Sequence, residues 1–138
     1  MSGWLLDTNV LIDLIFGSSN PLEERYAEEL KVNAPILLSA ISLFEFRFGA
    51  ERSRRRDFQL EALRRFLASA AVVEFDDRDA HEAALLKVAL ASQGTPIGGY
   101  DLLIAAQARV RALTVVTANT REFVRVPGIL LEDWTQPA

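Results

Sequence analysis

The sequence predicts a three-layer α/β domain, with a mainly parallel central sheet of four to five strands flanked by helices. Two observations predict it. Short apolar runs recur along the chain, mostly continuous rather than alternating, as in strands buried on both faces of a parallel sheet. Between them lie segments whose apolar residues return every three or four positions, and strands alternating with helices build that architecture. The span 1–138 reads as one domain. Its 138 residues, half apolar and a quarter charged, suffice for one core, and no repeat, linker or low-complexity tract divides them.

The first strand is expected over Gly3–Leu6, with a helix beginning near Val10. Pro21–Lys31 is an amphipathic helix. Its Leu22, Tyr26 and Leu30 recur at four-residue spacing, while Glu23, Glu24, Glu28 and Glu29 form a solvated charge run on the other faces. Pro35–Leu38 is the second strand. The stretch "SLFEFRFGAER" reads either as a strand with Phe44, Phe46 and Phe48 on one face, or as a helix with Ile41, Phe44 and Phe48 in an inward stripe. The helix is the expectation, because Ser39 is a good N-cap and Ala50-Glu51-Arg52 extends it. A helix over Phe58–Leu67 buries Leu60, Leu63, Phe66 and Leu67, and a strand covers Ala71–Phe75. Asp79–Gln93 is a helix with Ala83, Leu86, Ala89 and Leu90 inward. A loop through Gly94-Thr95-Pro96-Ile97-Gly98-Gly99 leads to an almost wholly apolar, therefore buried, helix opening near Asp101. Strands at Leu113–Thr117 and Ile129–Leu131 complete the sheet, and Trp4 and Trp134 are expected to pack at its ends.

Composition narrows the chemistry. With no cysteine there is neither a disulfide framework nor a thiolate metal site. The lone His81 excludes a multi-histidine zinc site and argues against a Ser-His-Asp triad; it reads as a surface or packing residue. No secretion signal is evident and no apolar run is long enough for a bilayer span, so the expected location is the cytoplasm, away from membranes. The formal net charge is −4, yet thirteen of the fifteen cations are Arg, and seven of these lie between Arg47 and Arg65. That stretch is read first as a solvated helix face in which Asp57 and Glu61 pair with Arg54 and Arg65. Net charge says little about a local patch, so the same stretch remains a candidate surface for anionic groups.

Three acids break the inside/outside rule. Asp7 stands in "WLLDTNVLIDL", at the carboxyl end of the first strand, where ligands bind in open α/β sheets. A buried carboxylate without a partner is expensive, so Asp7 either caps the helix that follows or faces a cation. Glu45 lies beside Ile41 and Phe48 on a helix. Asp101 shares a helical face with Ile104, Ala105 and Ala108, although an acid in a first turn is also favoured by the helix dipole. If the three converge they repel one another and hold their protons more tightly, and a hard divalent cation cancels that repulsion. A fourth polar cluster, Thr117, Asn119 and Glu122, follows the strand "LTVVT"; it reads equally as a plain turn.

The segments "LLDTNVLIDL", "FEFRFGAERS", "GTPIGGYDLLIAAQA" and "TVVTANTREFVRVPGILLEDW" together resemble PIN-domain proteins, most of all the VapC-type toxins of bacterial toxin–antitoxin modules. The resemblance spans Trp4 to Trp134. It implies a compact parallel α/β fold, an acidic pocket for Mg²⁺ or Mn²⁺, endoribonuclease activity on RNA, a homodimer, and neutralisation by a cognate antitoxin protein. It places Asp7, Glu45 and Asp101 at the catalytic, metal-binding positions. Thr8, Asn9 and Thr117 take positions that orient carboxylates or water. Where many members carry a further Asp this chain has Asn119, and Glu122 is the nearest acid to substitute. That departure keeps a second reading open, a catalytically weak module that binds RNA or antitoxin. A phosphotransferase with Asp7 as nucleophile is disfavoured, because that class often has an Asp where this chain has Asn9.

Overall fold

A computed structural model describes residues 3–17 and 19–137; residues 1, 2, 18 and 138 of the expected span lie outside the described residues. The element order is β1 (Trp4–Leu6), α1 (Thr8–Phe16), α2 (Asn20–Lys31), β2 (Ile36–Ser39), α3 (Ala40–Glu51), α4 (Arg56–Phe66), β3 (Ala71–Val73), α5 (Asp77–Ser92), α6 (Gly99–Arg111), β4 (Thr114–Val116), α7 (Thr120–Phe123) and β5 (Leu130–Glu132). Each expected strand exists, trimmed or moved by one or two residues.

The five strands form one sheet in the order β3-β2-β1-β4-β5, every pair parallel. The chain steps outward from β1 to β2 and β3, then returns to lay β4 on the other side of β1. Strand order therefore reverses between β1 and β4, and a crevice opens there at the carboxyl edge. The strand residues alternate between two cores. Leu5 and Val115 pack with α5, α6 and Phe123; Leu6 and Val116 pack with α1, Leu22, Phe46, Leu63 and Trp134. Both faces of the central strands are covered, which is why β1 and β4 read as unbroken apolar runs. Trp4 and Trp134 meet edge to face at 5.1 Å, with the Arg25 guanidinium over both rings. Glu29, expected in the solvated run, instead accepts from the Trp4 indole at 3.0 Å and pairs with Arg25.

Helix α3 corrects one expectation. Its buried residues are Ser42, Phe46 and Ala50, whereas Phe44 and Phe48 are half exposed. The segment carries apolar residues almost all round, so its periodicity does not select a face; packing of Phe46 and Ala50 beneath the sheet does.

A further acid is buried outright. Asp79, in the first turn of α5, is sealed from water. Its carboxylate accepts from the Asp76 backbone N–H at 2.8 Å, completing a capping box, and forms a two-point ion pair with Arg111 of α6. The same guanidinium reaches Asp76, tying the start of α5 to the end of α6. Arg111→Met should cost about 3 kcal/mol in urea unfolding, because it strands a buried charge; adding Asp79→Asn should recover part of the loss.

Candidate functional site

Asp7 follows β1 directly and is 3% exposed. Its backbone is extended, and Oδ1 accepts from the Val10 N–H at 2.8 Å, so it is the N-cap of α1. Its other oxygen accepts from the Thr117 hydroxyl at 2.5 Å, across the crevice from the carboxyl end of β4. Capping thus occupies one oxygen, and the second is turned to the point where strand order reverses. Thr117 is itself sealed, and its Oγ1 accepts from the Asn119 backbone N–H at 2.9 Å.

Glu45 arrives from the second turn of α3. It is not part of an inward stripe; it stands partly exposed, and the Thr8 hydroxyl donates to its Oε1 at 2.6 Å. Thr8 also contacts Oγ of buried Ser42 at 3.1 Å. The first turn of α1 therefore holds the acid of α3 in place. Asn9 is exposed and takes no part in the hydrogen bonds joining Asp7, Thr8, Glu45 and Thr117.

Asp101 lies half-buried in the first turn of α6. This helix feeds β4, so its N-terminus sits at the same edge of the sheet as the ends of β1 and β4. Opposite it, Glu122 of α7 accepts from the Gly98 N–H and, at 3.1 Å, from the Asn119 side-chain amide. The point where a Cβ would stand on Gly98 is 3.3 Å from Glu122 Oε1 and 3.8 Å from Asp101 Oδ2, so glycine there lets both carboxylates close on the backbone. The fourth polar cluster is thus more than a turn: it orients Thr117 and brings a fourth acid.

Burial drives the Asp7 pKa up to about 6 against the opposing hydrogen bonds from Thr117 and Val10, with the charges of Asp13 and Glu45 adding to the rise. Asp101 also rises to about 6, through burial first and then the charges of Glu122, Asp7 and Glu45. Glu122 is held below its usual range by the Gly98 N–H and the Asn119 amide. Asp7, Glu45, Asp101 and Glu122 therefore share one field. Among the described residues no Lys, Arg or His pairs with any of them; the ion pairs all lie elsewhere. Nor do three of these acids already stand together as a finished ligand cage among the described residues. Hydrogen bonds to Thr8, Gly98 and Asn119 hold Glu45 and Glu122, and like charges resist closer approach. Asp13 and Ser42 escaped the sequence reading; an acid inside "VLIDLIF" was the available signal for the first, and nothing marked the second.

The basic stretch resolves into ordinary surface pairs plus free cations. Arg56 pairs with Glu51 and Asp57, and Arg64 with Glu61, rather than Arg54 and Arg65 as expected. His81 is exposed on α5.

A family model described as "PIN domain" matches residues 4–129. The chain is 37% identical to the "tRNA(fMet)-specific endonuclease VapC" of Salmonella typhimurium over 97% of this chain and 99% of that protein. The solved structure of DNA-bound VapBC from Salmonella typhimurium superposes with a TM-score of 0.89 at 36% identity, covering 97% of this chain and 99% of that one. A toxin–antitoxin complex from Klebsiella pneumoniae gives 0.69 at 26% identity, covering 93% and 96%.

A carboxyl group whose pKa is higher folded than unfolded binds more protons in the native state. Stability then falls as pH climbs from the unfolded value, 3.8 for Asp, through the folded value of about 6. Between pH 5 and 7.5, in EDTA, the protein should lose about 1 kcal/mol through Asp7, seen as a fall of a few degrees in Tm. Asp7→Asn, which keeps the cap, should flatten that slope and raise Tm at pH 7.5. An unchanged slope would show that Asp7 is not the group that burial perturbs.

Proposed function

The chain belongs to the PIN-domain family, and from that membership we propose that it is a VapC-type endoribonuclease, the toxin of a toxin–antitoxin pair, that hydrolyses RNA phosphodiester bonds with Mg²⁺ or Mn²⁺. The observation that carries the reading is the uncompensated set of carboxylates at the β1/β4 crevice. A structural acid in this same molecule, Asp79, is buried with an arginine, whereas among the described residues none of these four forms an ion pair.

The donor set fits a hard divalent cation. Asp7, Glu45 and Asp101 offer carboxylate oxygens, the ligands that Mg²⁺ and Mn²⁺ prefer. Glu122 supplies the further charge that Asn119 lacks. Asn119 acts as an orienter: its amide aims Glu122, and its backbone N–H fixes the Thr117 hydroxyl that aims Asp7. A divalent cation held there supplies charge neutralisation at the phosphate and a more acidic water. Without a cation Asp7 and Asp101 have pKa values near 6, so protons compete with the cation for these oxygens below neutral pH. Cation binding requires their ionised forms, so activity rises with pH through that range.

The protein partner is a cognate antitoxin, and the working form is a homodimer. The antitoxin rests on family membership and on the toxin–antitoxin assemblies formed by the structural relatives; the homodimer rests on the family resemblance alone.

Asp7→Asn and Asp101→Asn should each lower cleavage of an RNA panel, initiator tRNA included, by a thousandfold or more without lowering Tm, and EDTA should abolish cleavage until Mg²⁺ or Mn²⁺ is restored. Glu122→Gln should leave a partial defect that excess metal relieves. An intact protein that cuts no RNA with any divalent ion would instead be a binding module.

A further inference from the structure

Three aromatic rings border the carboxylates on the solvent side. Phe44, Phe48 and Tyr100 are 50%, 53% and 49% exposed. Phe44 and Phe48 lie one turn apart on α3, with ring centroids 6.3 Å apart and planes within 23°. Tyr100, from the start of α6, meets Phe44 edge-on at 5.7 Å. Together with Glu45 they line an open cleft of about 280 Å³. Phe44 precedes Glu45 in the chain and Tyr100 precedes Asp101, so the rings flank the two acids covalently as well as in space. The Arg52 guanidinium sits 5.2 Å from the centre of the Phe48 ring. No folding role explains them, since the core side of α3 is Phe46 and Ala50.

A nuclease with a clustered negative pocket and a net charge of −4 faces a physical difficulty, because the pocket repels the polyanion it must hold. A bound cation offsets that repulsion only at the scissile phosphate, so the neighbouring nucleotides gain from contacts that do not depend on the pocket's charge. Stacking of unpaired bases on aromatic faces is such a contact, tolerant of sequence because every base has a π-face. Along α3 the order Glu45, Phe48, Arg52 runs from carboxylate to ring to guanidinium, with about 10 Å of helical rise from first to last. We propose that Phe44, Phe48 and Tyr100 form a stacking platform that seats one or two unpaired bases beside the scissile phosphate, with Arg52 meeting a phosphate beyond them. The rings position substrate and do no chemistry; the proposal rests on the nuclease reading. The patch lies beside Glu45 and ends at a guanidinium, a ring-then-cation order that matches the base and phosphate of one nucleotide.

The test uses the full chain in an Asp7→Asn background with Mg²⁺, so that RNA is bound and not cut. The probe is a short unstructured RNA carrying 2-aminopurine and a terminal fluorophore. Phe44→Ala, Phe48→Ala and Tyr100→Ala should each weaken binding about five- to a hundredfold and relieve quenching of the 2-aminopurine. Phe48→Leu, which keeps apolar bulk without a π-face, should behave like the alanine variant. Melting temperatures confirm that each variant folds. Binding and quenching that survive all three substitutions overturn the platform and leave the nuclease reading standing. A background protein that binds no RNA overturns the platform, and failure of the unsubstituted protein to cut RNA with any divalent ion overturns the nuclease reading as well. If the substitutions shift sedimentation toward monomer while RNA affinity holds, the face is a protein interface and the proposal fails.

Discussion

Thr117 donates a hydrogen bond to Asp7 across the two central strands, and the rest of the site is arranged around that contact. It joins the carboxyl ends of β1 and β4 where strand order reverses. It also fixes which oxygen of Asp7 is left to the crevice, since the other is engaged by the cap of α1. From this anchor the arrangement extends in two directions. Thr8, one residue on, reaches to Glu45 of α3. The Asn119 N–H, bonded to Thr117, carries the network to Glu122 and Gly98, beside Asp101. Acids from four separate segments are thus referred to one buried hydroxyl.

Two solutions to a buried acid coexist in the molecule. Asp79 is neutralised internally by Arg111, and the pair locks α5 to α6. Among the described residues Asp7 and Asp101 have no ion-pair partner, and their burial is carried as raised pKa values and repulsion from neighbouring acids. The first arrangement contributes to the fold. The second weakens it at neutral pH, since carboxyl groups with raised pKa values are destabilising once ionised.

Much of the scaffold was legible in the residues. The unbroken apolar strands announced a sheet covered on both faces, and Ser39 marked the start of α3 correctly. Asp7, Glu45 and Asp101 stood out because each set a charge among apolar neighbours. Of the alternatives posed for Asp7 the cap is present, and it engages only one of the two carboxylate oxygens. Helix α3 was misjudged where the pattern was ambiguous: apolar residues on every face leave the buried side to be chosen by what packs against it. Asp79 drew no attention as a buried group, because an acid in a first helical turn is ordinary until its arginine, far along the chain, is seen beside it.

The sequence by itself determined the class of fold, the order of its elements and the residue types able to hold a hard cation, because periodicity and charge placement are local properties of a chain. Tertiary structure alone decided that Glu122 bonds to Gly98 and Asn119, which acids are answered by an arginine, and which face of α3 meets solvent. Those are matters of distance between groups remote in sequence, and only the closing of the sheet sets such distances.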